Sequence, residues 1–242
     1  WGNSTRNVLR GFNKIFVQLE QSKKLLNQFG ITNVITSGDT RFETVINNSI
    51  SVQKNEIVST FKGNNLLIVA GSSWENEESI LTQLRFYDNN IKIIIAPHNI
   101  DKRNIDRLYQ NTINSIKYSE IDSTTELEKF NTLIIDNIGL LKSIYFYADI
   151  VLIGGGYSNK LHNILEAAAF GKPILFGNNF SKFPEAIELI QQNGGYGLSK
   201  NQMAETIKSL IDNPIKREKI GKNALRFVSQ NSGATNKILS NL

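Results

Sequence analysis

The sequence contains no cysteine and only two histidines, His98 and His162. Without cysteine, the chain has no disulfide framework, no thiolate metal ligand and no cysteine nucleophile. Two histidines are too few for a metal site built from several imidazole ligands. These absences exclude the commonest zinc sites, and we expect the chain to need no metal or other cofactor.

Long apolar runs are also missing. The longest are Leu66–Ala70, Ile91–Ala96 and Ile150–Ile153, far below the roughly 20 residues of a membrane-spanning helix. The sequence begins at Trp1 rather than methionine, and no signal-peptide pattern follows. We therefore expect Trp1 to be an internal residue of a longer protein, part of which is missing here.

The composition is that of a globular protein. The chain has 242 residues, which is enough for one large or two small domains. Of these residues, 40% are hydrophobic and 20% are charged. Lysine and arginine (27) exceed aspartate and glutamate (22), which gives a net charge of +5. The lysines are scattered, unlike the clustered basic residues of a nucleic-acid surface, so we expect no nucleic-acid partner. The charge indicates either a solvated basic surface or a face toward an anionic lipid or substrate.

Short β-branched runs alternate with helical patterns from residue 66 onward. This alternation predicts an α/β fold with a doubly wound parallel sheet. The predicted strands are 66–70, 91–96, 115–118, 132–136, 149–153 and 173–176. The predicted helices are 76–87, 101–111, 139–147, 162–170, 182–192, 201–211 and 215–230.

The amino-terminal residues form a separate pattern. Strands at 14–18 and 33–36 with helices at 4–10 and 20–29 make only about two strand–helix units, too few for a domain. We interpret residues 1–46 as the tail of a preceding Rossmann-like domain. Residues 47–65 are predicted to be a polar, partly helical linker, and residues 66–242 a ligand-binding domain.

Ligands of open parallel sheets bind beyond the carboxyl ends of the strands. Five loops occupy that position here: Gly71–Trp74, Pro97–Asn99, Asn137–Gly139, Gly154–Tyr157 and Gly177–Asn179. We expect all five to line one edge.

Two of these loops are rich in small residues. In the first, Ser72 and Ser73 either contact a phosphate or sugar or form an ordinary turn with a helix cap. The second contains the triplet Gly154–Gly156, which matches neither the dinucleotide fingerprint nor the P-loop. The triplet marks either a tight turn or a place where the backbone approaches something closely.

The segment after the triplet is the most informative. His162, Asn163 and Glu166 are predicted to lie at the start of a helix. A carboxylate there can accept both hydroxyls of a ribose. Alternatively, Asn163 caps the helix and Glu166 complements its dipole.

Two further positions allow either interpretation. His98, after Pro97, is a ligand contact or a structural histidine. Arg41, in the segment Gly38–Phe42, clamps a phosphate or carboxylate in bidentate fashion or is a surface arginine beside a capped turn.

Taken together, these segments resemble the carboxyl-terminal half of the 3-deoxy-D-manno-octulosonic acid (Kdo) transferases, the lipid A glycosyltransferases of Gram-negative bacteria. The resemblance covers essentially the whole chain. The matching segments are 16–18, 38–42, 69–74, 96–98, 153–156, 162–166, 170–174, 182–186 and 233–236.

The resemblance implies a GT-B fold, in which two Rossmann-like domains face each other across a cleft. It implies an inverting transfer of Kdo from CMP-Kdo to a lipid A precursor at the cytoplasmic face of the inner membrane, without a metal. The catalytic base is expected in the missing amino-terminal part, so no catalytic residue is expected in this chain, and the chain alone is expected to be inactive. The net positive charge suits an anionic lipid acceptor.

The resemblance also implies roles for individual residues. Glu166 corresponds to the ribose-binding acid, and Asn163 and His162 to its neighbours around the phosphate and sugar. The remaining expected contacts with CMP-Kdo are Ser72, Ser73, Pro97, His98, Gly139, Gly155, Gly156 and Arg41. The family carries a small, glycine-containing stretch between the triplet and the histidine. Here the corresponding residues 157–161 contain no glycine, which departs from the family pattern, and we expect Lys160 to add an anion contact.

Two other functions are compatible with the sequence. One is a related GT-B transferase that uses a UDP- or GDP-sugar. The other is a non-catalytic nucleotide-binding or interaction domain.

Overall fold

The computed structural model describes residues 2–84, 87 and 90–242 and divides into two compact units. The terminal unit combines the residues up to Asn47 with Val228–Leu242, and the central unit is Asn48–Phe227. The chain thus enters the central unit after Asn47 and returns from it at Val228. The predicted boundaries 1–46, 47–65 and 66–242 differ from this division, because they assign residues 228–242 to the ligand-binding domain. As an assignment to the domains of a longer protein, they stay a prediction.

The terminal unit is built on a small parallel sheet. The strands β1 (Ile15–Val17) and β2 (Val34–Thr36) pair in parallel, as their positions in the sequence predict. Leu26, Ile31 and Val34 form a small buried core beside them. The helices that begin in this unit are α1 (Asn3–Arg10), α2 (Glu20–Gln28), α3 (Arg41–Ile50) and α12 (Ala234–Leu239).

The carboxylate of Glu43 joins the two segments of the terminal unit by hydrogen bonds. Glu43 Oε1 accepts hydrogen bonds from the backbone N–H groups of Gly233 (2.6 Å) and Thr235 (3.0 Å). These N–H groups lie at the start of α12, where a helix has no internal acceptors for them. Glu43 therefore supplies from a distant part of the sequence the acceptor that a capping side chain normally provides.

The central unit contains the predicted doubly wound sheet. All of its seven strands are parallel, in the order β5-β6-β4-β3-β7-β8-β9. Its strands are β3 (Leu66–Ser73), β4 (Ile91–Pro97), β5 (Ser115–Lys117), β6 (Thr132–Ile134), β7 (Ile150–Ile153), β8 (Ile174–Gly177) and β9 (Gly195–Leu198). Its helices are α4 (Glu56–Lys62), α5 (Glu75–Leu84), α6 (Lys102–Asn111), α7 (Leu141–Tyr147), α8 (Leu165–Ala168), α9 (Pro184–Gln191) and α10 (Lys200–Asp212), and α11 (Pro214–Gln230) leads out of it.

The central strands are buried on both faces. In β7, every residue from Ile150 to Ile153 is fully buried, and β4 is buried along its whole length. Burial on both faces is the reason that these strands appear in the sequence as continuous apolar runs. Among the described residues, no helix combines the length and apolar character needed to cross a bilayer.

Several elements differ from the sequence predictions. The strand β9 was not predicted. Residues 47–65 are partly helical, as expected, through the end of α3 and the whole of α4. Asn55 begins α4, because its side-chain oxygen accepts the N–H of Val58. The helix predicted over 76–87 is described up to Leu84, and residues 85 and 86 lie outside the described part.

Candidate functional site

The strand β3 ends with a bulge at Ser72. Gly71 pairs with Ala96 and Ser73 with Pro97, so Ser72 has no partner in the register and adopts a left-handed φ of 50°. The backbone N–H of His98 then donates to the carbonyl of Ser73 (2.9 Å). The loops after β3 and β4 are therefore joined at the carboxyl edge of the sheet, as expected.

The glycine triplet packs against this bulge. The N–H of Gly154 donates to the carbonyl of Gly71 (2.9 Å), and a Cβ on Gly154 would lie 1.9 Å from the carbonyl oxygen of Ser72. A Cβ on Gly156 would lie 2.4 Å from the backbone nitrogen of Gly177. The triplet predicts a close approach of the backbone. At Gly154 and Gly156 the backbone comes close to other backbone segments at the same edge of the sheet.

Three aromatic rings lie in contact beside the triplet, with Trp74 stacked on His98 and His98 tilted against His162. The ring of Trp74 lies 4.6 Å from that of His98, and His98 lies 4.5 Å from His162. Burial is the main cause that lowers the pKa of His162, and the neighbouring His98 lowers it further. Both favour the neutral form of His162. These ring contacts bring together three loops that are far apart in the sequence.

A polar cavity of about 320 Å³ opens beside Trp74. Ser73, Glu78 and Arg107 line it. The hydroxyl of Ser73 donates a hydrogen bond to the carboxylate of Glu78 (3.2 Å). Glu78 is 3% exposed and forms an ion pair with Arg107 (2.6 Å). The other residues that line the cavity are Glu75, Asn76, Asn99, Asn104 and Ser158. Sequence reasoning missed Arg107 and Asn104, because their positions on α6 carry no motif.

Glu77 is the most deeply buried acid of this edge. Its side chain is 1% exposed, and its Oε2 accepts the backbone N–H of Trp74 (3.1 Å). Burial raises the pKa of the Glu77 carboxyl, and backbone N–H groups, including that of Gly155, lower it in part. The sequence analysis did not name Glu77 as a site residue.

We expect the variant Glu77→Gln to be more stable than the wild type at pH 7. Because the folded chain holds the pKa of Glu77 above its usual value of 4.5, ionisation favours the unfolded state as the pH rises through that value. Glutamine does not ionise and keeps an oxygen for the Trp74 N–H. Urea unfolding at several pH values checks this, and the gain should shrink as the pH falls toward 4.5.

A matched control for this prediction is Glu218→Gln. Glu218 is exposed and pairs with Lys222 (2.5 Å), and the hydrogen bond to Lys222 lowers its pKa. Replacing Glu218 by glutamine should therefore not raise the free energy of unfolding at pH 7. A gain for Glu77→Gln that is equal at pH 7 and pH 4.5 would contradict ionisation as the cause.

Glu166 lies in a second polar cluster. It is half-buried, and burial raises its pKa, whereas Lys142 and a hydrogen bond from Asn163 lower it. Asn163 Oδ1 also accepts the N–H of Leu165 (3.0 Å), so Asn163 does cap the helix as one interpretation proposed. The helix α8 begins at Leu165, later than predicted, which leaves His162 and Asn163 in the preceding loop.

Tyr145 connects this cluster to the first one. The carboxylate of Glu166 is near enough to add to the effect of burial, which raises the pKa of the Tyr145 hydroxyl. That hydroxyl covers Gly71, where a Cβ would lie 1.8 Å from it. Gly71 therefore leaves room for a fully buried tyrosine between the end of β3 and Glu166.

The two remaining predicted site residues are Gly139 and Arg41. Gly139, with a φ of 99°, precedes α7 and lines a separate cavity of about 320 Å³ with residues 51–55 and Lys142. Arg41 belongs to the terminal unit, where it begins α3 and pairs with Asp39 (2.7 Å). Within the described residues, no group of three or more acidic or histidine side chains is arranged to hold a metal ion.

Sequence comparison finds relatives along nearly the whole chain. The chain is 30% identical over 243 residues to the 3-deoxy-D-manno-octulosonic acid transferase of Rickettsia prowazekii, covering 93% of this chain and 50% of the relative. It is 25% identical to the enzyme of the same name from Chlamydophila psittaci, over 88% of this chain and 50% of that one. No protein-family model matches. The chain spans about half the length of the curated relatives it matches.

Solved structures share the fold. The C-terminal CMP-Kdo binding domain of WaaA from Acinetobacter baumannii matches with a TM-score of 0.61 and 17% identity, covering 77% of this chain and 98% of that one. A UDP co-structure of MnaA from S. aureus matches with a TM-score of 0.63 and 14% identity, over 94% and 59% of the two chains. The chain is thus similar in sequence to one half of the Kdo transferases, and its fold is that of the GT-B glycosyltransferases.

Proposed function

We propose that this chain is the donor-binding part of a glycosyltransferase that transfers Kdo from CMP-Kdo. The observation that carries this proposal is the 30% identity to a Kdo transferase over 93% of the chain. The fold supports it, because the loops after β3, β4 and β7 meet at one edge of the sheet, as they do in other nucleotide-binding sheets.

Within this proposal, the edge binds CMP and stabilises it as the leaving group. Glu166 accepts the ribose hydroxyls, and its half-buried carboxyl is held by Asn163 beside Lys142. In this proposal, the backbone of the bulge at Ser72, together with Lys160, faces the phosphate. Groups already positioned toward a developing negative charge lower the barrier without having to reorganise.

The acceptor and its location belong to the same proposal. We propose an anionic lipid A precursor at the cytoplasmic face of the inner membrane, with inversion at the sugar carbon and a catalytic base outside this chain. The net charge of +5 supports an anionic acceptor and an anionic lipid surface.

Thermal melting with CMP, UMP and GMP at millimolar concentration tests the donor. A ligand that binds only the folded state stabilises it by about 2.7 kcal/mol at a hundredfold excess over Kd. We expect CMP to raise the melting temperature and UMP and GMP to leave it unchanged. The variant Glu166→Ala should lose the rise with CMP. Glu205→Ala, which removes an exposed acid on α10, is the control and should keep it.

The other outcomes separate the alternatives. A shift with UMP or GMP in place of CMP would keep the fold assignment and change the donor. A CMP shift that survives in Glu166→Ala would contradict the ribose contact. Transfer of Kdo by the 242-residue chain alone would contradict the placement of the base outside it.

A further inference from the structure

Within the described residues of the central unit, four buried polar atoms have no hydrogen-bond partner. They are Trp74 Nε1, Glu77 Oε1, Tyr157 Oη and His162 Nε2. Folded proteins seldom leave buried polar groups unpaired, because each loses its hydrogen bonds to water on folding. A group of such atoms in one place indicates a ligand that pairs with them.

The four side chains form one connected group, and two of them, Glu77 and His162, lie beside Gly155. His162 Cδ2 lies 3.3 Å from the position that a Cβ on Gly155 would occupy, and the N–H of Gly155 lowers the pKa of Glu77. Burial and then the nearby Glu77 carboxylate raise the pKa of Tyr157 to about 12. Trp74 joins the group through His98, on which it stacks and which in turn contacts the ring of His162.

The chemistry of the group is mixed. Trp74 and Tyr157 each offer a hydrogen-bond donor, and Glu77 offers an acceptor. Positive charge lies close by, since Lys160 Nζ is 5.8 Å from the ring centre of Trp74 and Lys200 Nζ is 5.8 Å from that of Tyr157. Donors beside positive charge suit an oxyanion, and the acceptor suits a hydroxyl.

We propose that Trp74, Glu77, Tyr157 and His162 bind the charged, hydroxyl-bearing end of the donor. The oxyanion accepts from Trp74 and Tyr157, and a hydroxyl donates to Glu77 Oε1. This inference rests on the proposed function. The oxyanion has two possible sources, the phosphate of the nucleotide and the carboxylate of the sugar acid.

The variant Tyr157→Phe tests this without disturbing the fold. Because the hydroxyl it removes has no partner in the free chain, the melting temperature should stay the same or rise. The affinity for the donor should fall about tenfold. Trp74→Phe, which keeps an aromatic ring in the stack and removes the indole N–H, should lower the affinity similarly.

Tyr147→Phe is the matched control. Its hydroxyl accepts the N–H of Asn55 (2.8 Å), so the same substitution removes a hydrogen bond that the free chain already makes. The melting temperature of this variant should fall, while its affinity for the donor stays at the wild-type value.

Titration calorimetry with cytidine, CMP and CMP-Kdo separates the sources of the oxyanion. A loss of affinity in Tyr157→Phe for CMP-Kdo alone would support contact with the sugar acid. An equal loss for CMP and CMP-Kdo, with cytidine unaffected, would support contact with the phosphate. Unchanged affinity for all three, or a loss for cytidine as well, would overturn the inference and leave the proposed function standing. If the wild type binds none of them, the proposed function falls, and the inference falls with it.

Discussion

Replacing Gly154 by alanine should destabilise the central unit by about 3 kcal/mol, at the upper end of what overpacking costs. The added Cβ would lie 1.9 Å from the carbonyl oxygen of Ser72 and 2.8 Å from the Cα of Ser73. Both neighbours are backbone atoms of the bulge between the paired residues Gly71 and Ser73, so no side chain can turn aside to make room. Urea unfolding followed by Trp74 fluorescence measures this, in a Trp1→Phe background that leaves one tryptophan.

Gly197→Ala is the matched control for this substitution. Its Cβ would come similarly close to a neighbour, 2.2 Å, but that neighbour is Cε1 of the half-buried Phe180 ring. A side chain can rotate away, so we expect a smaller loss, which Phe180→Leu should partly reverse. Equal losses at Gly154 and Gly197 would contradict the importance of the rigid bulge at Ser72.

Replacing Phe176 by alanine should lower the free energy of unfolding by about 3–5 kcal/mol. Phe176 is fully buried in β8, and its ring meets that of Phe180 edge to face at 5.5 Å. The substitution removes the apolar contacts of the ring and leaves a cavity between closely packed neighbours. The same urea unfolding measurement checks the value.

A second phenylalanine of the central unit provides the comparison. Phe146 on α7 is 39% exposed, so its truncation removes less buried surface and leaves a site open to water. We expect Phe146→Ala to cost about 1 kcal/mol. A loss as large as that of Phe176→Ala would mean that the depth of burial does not set the cost.

The sheet was largely predictable from the sequence, because its central strands are buried on both faces. A run such as Ile150–Ile153 leaves no other simple interpretation, and all six strands predicted after residue 66 are present. The strand β9 was missed because its Gly-Tyr-Gly-Leu sequence is short, half-buried and at the edge of the sheet. Only its pairing with β8 makes it a strand.

The candidate site was predictable in its loops and less so in its details. The rule that ligands lie at the carboxyl ends of parallel strands correctly brings Ser73, His98 and His162 together. It could not show that Glu77 would be buried with one oxygen unpaired, because that depends on how α5 packs beneath Gly155. The start of α8 was placed too early, since Asn163 caps the helix from inside the predicted range.

The discontinuous terminal unit affects the order in which the chain can fold during synthesis. A protein leaves the ribosome from its amino terminus, and its domains generally fold as their residues emerge. Glu43 and Gly233, which are hydrogen-bonded here, are 190 residues apart, so Glu43 is made early but must wait for its partner. The central unit has all of its residues available before that partner segment exists. Translation therefore favours a sequence of events in which residues 1–47, made before the central unit, belong to a unit that is completed after it.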